Sequence, residues 1–188
     1  MGTMLKVSHL SKNFRSFKAV DDLSFEVPDG QVTGFLGPNG SGKSTTMRIV
    51  MGVLAADSGA VTWMGAPVDA AIRRTIGYMP EERGLYPKQK VADQLIYLGQ
   101  LRGPSARRSR ESVMTLLERL GLGERTDDTV ESLSLGNQQR VQIAAALMIE
   151  PAALILDEPF SGLDPEAVDS MADLLREHTS RGSEEHTS

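Results

Sequence analysis

LSLGNQQRVQIAAALMIEPAALILDEPFSGLD, residues 133–164, carries three elements in succession. A Ser134-Leu135-Gly136 turn opens a helix read from about Gln138 to Ile149, which Glu150-Pro151 ends. The run AALIL then reads as a strand closing on Asp157-Glu158, and a Ser-Gly-Leu-Asp turn at residues 161–164 follows. Pro165 opens a last helix ending near Thr179. A strand without polar alternation is buried on both faces, as in parallel sheets flanked by helices, so the stretch points to an α/β fold.

Upstream, GPNGSGKST at Gly37–Thr45 fits the pattern GxxxxGK[ST]. It lies between an expected strand, VTGFLG at 32–37, and a helix running on from Thr45 with Ile49, Val50 and Val53 at helical spacing. Glycine-rich backbone at a helix N-terminus turns N–H groups toward phosphate. Asn39, Gly40, Ser41, Gly42 and Thr45 are therefore candidates for the phosphates of ATP, Lys43 for its β and γ oxygens, and the Ser44 hydroxyl for Mg²⁺. A buried parallel strand delivers its polar end beside such a loop. Asp157 is there the candidate for holding Mg²⁺ through water, and Glu158 for polarising the attacking water. Taken alone, the same Asp-Glu pair also reads as a solvated turn.

Further strands are expected at 5–10, 23–27, 60–65 and 75–80, with a turn at Pro28–Gly30. From Val91 the period becomes helical, through VADQLIYLGQL and then SARRSRESVMTLLERLGL with Val113, Leu116, Leu117 and Leu120 on one face. This gives a helical lobe at about 82–140. The length of 188 residues fits one domain. The absence of cysteine excludes disulfides and thiolate metal sites, and three scattered histidines make no zinc cage. A net charge of −5 disfavours direct nucleic-acid binding. The apolar run Ile143–Ile149 is far short of the roughly 20 residues that cross a bilayer. The opening MGTMLKVSHL lacks the apolar core of a secretory signal.

On these residues the chain resembles the nucleotide-binding subunits of ABC transporters. GPNGSGKST matches the family's phosphate loop, LSLGNQQR its signature, LILDEP its second Walker element and SGLD its D-loop, in the family's order. PEERGLYP and LSLGNQQR resemble bacterial subunits of the exporter type. The resemblance implies a P-loop NTPase fold with a mostly parallel central sheet, an N-terminal antiparallel β layer and an inserted helical subdomain. It implies MgATP hydrolysis that powers transport of a substrate through a separately encoded transmembrane permease. It also implies a homo- or heterodimer with a second ATPase subunit, on the cytoplasmic face of the cell membrane. By the same resemblance Ser134 and Gly136 contact the γ-phosphate held by the partner subunit, and Asp164 organises the facing site. Phe14 stands where the family stacks an aromatic on adenine, although an edge or core phenylalanine is the other reading.

Three departures qualify the match. Leu135 and Asn137 replace a glycine and a glutamine of the common signature. Glu81, followed by Glu82, replaces the loop glutamine; a carboxylate ligates Mg²⁺ but does not donate, and a plain solvated loop is the alternative. The family's switch histidine has no counterpart: His178 falls at the end of the last helix, His186 in the tail, and His9 reads as a solvated or packed residue. Residues 1–182 thus read as a single ABC ATPase domain lacking its C-terminal strands. The tail 183–188, SEEHTS, resembles translated adapter sequence, the alternative being a frayed terminus. The basic group Arg102, Arg107, Arg108 and Arg110 reads as a solvated helix face or a lipid contact. Methionines 47, 51, 114, 148 and 171 read as core filler. The rival function is a soluble ABC ATPase acting on the ribosome or nucleic acid.

Overall fold

Leu5 and Val7 alternate onto the buried face of a long first strand, yet the next buried residue is Leu10, one place out of phase. The computed structural model, which describes residues 3–82, 84–101, 105–148, 150–165, 167–169, 171–173 and 175–177, shows why. β1 (Thr3–Phe14) pairs antiparallel with β2 (Phe17–Pro28), and the register shifts between Val7 and Leu10. His9 and Asp22 take φ 51° and 48° there, and such a bulge resets which face each side chain occupies. Cross-strand bonds hold it: His9 Nδ1 lies 2.8 Å from Asp22 Oδ1, and the Asp22 N–H donates to Ser11 Oγ at 3.0 Å.

The chain forms two compact units, one of Met1–Arg73 with the residues from Met171 onward, the other of Arg74–Ser170. In the first, β3 (Ser58–Trp63) and β4 (Ala66–Pro67) extend the hairpin into an antiparallel sheet of order β2-β1-β3-β4. This is the expected antiparallel layer, with strands longer than their apolar runs suggest. α1 (Lys43–Val50) buries Thr46, Ile49 and Val50, and the short α2 (Ala70–Arg74) starts where Asp69 Oδ1 accepts from the Ile72 N–H at 2.8 Å.

The strand expected at 32–37 is a correction. Residues 31–38 join no sheet among the described residues, and Val32 and Leu36 are 71% and 94% exposed. An apolar run becomes a strand only where a neighbour takes its N–H and C=O groups. No described strand does so here. The Phe35 ring lies 5.5 Å from that of Phe25.

In the second unit β5 (Ile76–Met79) pairs parallel with β6 (Ala153–Leu156). The pairing continues at both ends, from the Ala152 N–H to the Thr75 carbonyl and from the Asp157 N–H to the Met79 carbonyl, each at 2.9 Å. α3 (Val91–Gln100), α4 (Ala106–Arg119) and α5 (Leu135–Leu147) pack around Leu95, Val113, Leu117, Leu122, Val141 and Ile143, all buried. A side chain at Gly77 would run into the Ala146 carbonyl, so its absence lets α5 lie close on the strand. α3 and α4 approach where a Cβ on Gly99 would stand 3.3 Å from that of Ser109. The segment leading to α5 is pinned: Glu131 and Val130 donate to the carbonyls of Pro87 and Gln89, and buried Gln94 takes the Tyr86 N–H at 2.7 Å.

Beyond β6, residues 165, 167–169, 171–173 and 175–177 are helical, as expected after Pro165. Arg102, Ile149, His178, Thr179, His186 and the tail 183–188 lie outside the described residues.

Candidate functional site

The glycine loop runs from Gly37 to α1 without regular structure and is closed by the Ser41 N–H on the Pro38 carbonyl at 3.2 Å. Gly40 and Gly42 take φ 81° and 88°, the left-handed region that glycine enters without strain. Gly42 is also the N-cap of α1, with the Ala19 carbonyl where a Cβ would stand, so no other residue fits. No side chain caps this helix. Its first turn carries no acidic residue, so the positive end of the helix dipole is not countered from within. Thr46, which is buried, donates from Oγ1 to the Gly42 carbonyl at 2.8 Å and anchors the turn from below. Lys43 Nζ donates to the Gly37 and Pro38 carbonyls at 2.7 and 3.0 Å, which folds the ammonium over the loop. Asn39, Gly40 and Ser41 are exposed, and Ser44 and Thr45 are half-buried in the first turn.

The carboxylates belong to the other unit. Asp157 is 2% exposed at the end of β6, and its Oδ2 has no hydrogen-bond partner among the described residues. A buried carboxylate oxygen without a donor is costly unless a cation or ordered water meets it. That supports the fit of a cation such as Mg²⁺ to Asp157. Glu158 follows with φ 53°, a strained value for a non-glycine residue, and an exposed side chain. Two groups hold its backbone. The Ser161 N–H donates to the Glu158 carbonyl at 3.1 Å, and Gln139 Nε2 donates to the Glu158 and Pro159 carbonyls, both at 3.0 Å. Gln139 is 5% exposed, and motif spacing does not single it out. In sequence it is one of three glutamines in α5, beside Gln138 and Gln142, with nothing local to separate it.

Ser134 is the N-cap of α5, its Oγ accepting the Asn137 N–H at 3.3 Å, so the helix begins three residues before the expected Gln138. Gly136 lies in the first turn, where a Cβ would stand 3.4 Å from Leu163 Cδ2. The signature and the SGLD turn therefore pack on each other. Leu135 points outward, 56% exposed. Asp164 caps the next helix, with Oδ1 accepting the Ala167 N–H at 2.8 Å. Ser134, Gly136, Asp157, Glu158 and Asp164 thus share one unit, whereas the phosphate loop and Phe14 share the other.

Phe14 ends β1 at the tip of the hairpin and is 46% exposed, which removes the core reading. Lys12 Nζ lies 5.7 Å from its ring centroid. Glu81 and Glu82 are exposed in a bend after β5. Among the described residues no group of three or more His, Cys, Asp or Glu is placed to hold a metal, and no helix is long and apolar enough to cross a membrane.

A glycine loop at a helix N-terminus, with an apolar parallel strand ending in a buried aspartate, defines a P-loop NTPase fold. Similarity narrows the class. The sequence pattern of the ABC transporter family matches residues 20–161, and the chain belongs to that family. It is 47% identical over 172 residues to the uncharacterized ABC transporter ATP-binding protein YhaQ of Bacillus subtilis, covering 92% of this chain and 58% of that protein. It is 36% identical over 181 residues to the Nod factor export ATP-binding protein I of Paraburkholderia xenovorans, covering 95% and 60%. The solved structure of cbiO1 from Clostridium perfringens, part of the ABC transporter complex cbiONQ, superposes with a TM-score of 0.83 at 30% identity, covering 96% of this chain and 75% of that one. The chain thus spans under two thirds of these two curated relatives.

Proposed function

We propose that this chain supplies the ATP-binding and ATP-hydrolysing machinery of a membrane transporter, moving a substrate through a partner permease. The observation that carries the reading is the end of β6, where buried Asp157 keeps one oxygen without a donor beside the strained, outward-facing Glu158. Structural carboxylates are normally satisfied from within.

In this reading the N–H groups at the start of α1 and the Lys43 ammonium bind the phosphates, and Phe14 offers a half-exposed ring for the adenine. Ser44, Asp157 and Glu81 are each candidate ligands for Mg²⁺; the ion supplies charge neutralisation at the phosphates when bound. Glu158 orients and polarises the attacking water. Ser134 and Gly136 serve the nucleotide of a second subunit, homologous or identical, so that neither copy is complete alone. Asp164 organises the facing site. Export is supported by the Nod factor relative, whose name states that direction. A place on the inner face of the cell membrane follows from docking to a permease.

Purification of the full-length protein from membranes tests the reading. Recovery of a multi-span membrane protein with it, and ATPase activity that rises in its presence, are expected. Recovery with ribosomes or nucleic acid in place of a membrane protein would overturn it.

A further inference from the structure

Gln139 and Glu158 are 19 residues apart and joined by one amide. Gln139 lies one turn into α5, the helix that Ser134 caps, and is buried. Its Nε2 reaches two successive carbonyls, Glu158 and Pro159, at 3.0 Å each. An amide nitrogen has two hydrogens, enough to serve both carbonyls. Pro159 has no N–H, so at that position the turn can be held only through the carbonyl, and the Ser161 N–H donates to the Glu158 carbonyl. Glu158 meanwhile sits at φ 53°, where an L-residue's Cβ crowds the following carbonyl, and surroundings must hold such a conformation.

We propose that Gln139 is a positioning residue for Glu158, fixing the peptide from which its carboxylate is aimed and tying that aim to the signature helix. The inference rests on Glu158 acting on the attacking water, as proposed above. A shift of α5 at its Ser134 end then reaches the carboxylate through one side chain. ATP affinity, which depends on the phosphate loop, stays outside this link.

The test uses the full-length protein with Gln139→Met, which keeps the length and removes both donors, and Gln139→Glu, which sets a carboxylate against two carbonyls. Misaiming a reacting group costs about ten- to a hundredfold in rate, so kcat is expected to fall by that much in both while KM for ATP stays within about twofold. Toward acid pH the Gln139→Glu carboxyl gains a proton it can donate, and its rate relative to wild type rises; that of Gln139→Met does not. Wild-type kcat in both variants overturns the proposal. So does a loss in Gln139→Glu that is the same at every pH, because that marks general loosening of the helix. Glu158→Gln run alongside separates the two readings: if it keeps the wild-type rate, the assignment of Glu158 fails, whereas if it alone is inactive, only the positioning role fails.

Discussion

Lys43 Nζ lies 2.7 Å from the Gly37 carbonyl oxygen, so the residue expected to meet the β and γ phosphates is already drawn over its own loop. In the proposed function, binding ATP would exchange these bonds to neutral carbonyls for bonds to phosphate oxygens, which are stronger because both partners are charged.

Lys43→Ala removes that exchange. Hydrogen bonds to charged groups contribute about 1.5–3 kcal/mol, so the Kd for MgATP is expected to rise by about tenfold or more. Gly37 and Pro38 are exposed, and the thermal midpoint should barely move. Calorimetric titration checks this, and an unchanged Kd would remove Lys43 from the phosphate site.

Ser109 is buried where α4 meets Gly99 of α3, and its Oγ has no hydrogen-bond partner among the described residues. Ser109→Ala removes an unsatisfied hydroxyl while keeping the small side chain that the crossing requires. A gain of up to about 1 kcal/mol in denaturant unfolding is expected. Ser109→Leu, which meets Gly99 at close range, should destabilise by about 1–3 kcal/mol.

Asp57 ties the start of β3 to β1. Lys12 Nζ at 2.8 Å and the Asn13 N–H at 2.7 Å both donate to its carboxylate, and these bonds, the lysine's first, hold its pKa below the usual carboxylate range. A carboxyl whose folded pKa is depressed contributes stability above its unfolded pKa and loses it as pH falls through the folded one. Asp57→Asn should therefore lower the thermal midpoint at neutral pH, with the gap to wild type closing in strong acid. Because the group is exposed, the gap should also shrink with salt.

Sequence spacing exposes the nucleotide motifs because each is local: the glycine loop, the Asp-Glu end of β6 and the SGLD turn are each set by neighbouring residues. Caps are half-legible. Ser134 stands where a helix can begin, but α5 starts there only because its Oγ takes the Asn137 N–H, which the apolar pattern does not record. The bulge at His9 and Asp22 hides from alternation because it breaks it. VTGFLG has the composition of a buried strand, and composition does not reveal whether a neighbour flanks it. Gln139 is invisible for a related reason, since its partners lie 19 and 20 residues away and both are backbone carbonyls.

Steady-state ATP hydrolysis by the full-length protein carrying Glu158→Gln shows whether Glu158 polarises the water that cleaves ATP. A positioned general base contributes about 10²- to 10⁴-fold, so kcat should fall within that range with KM for ATP little changed. Hydrolysis at the wild-type rate would remove Glu158 from the reaction.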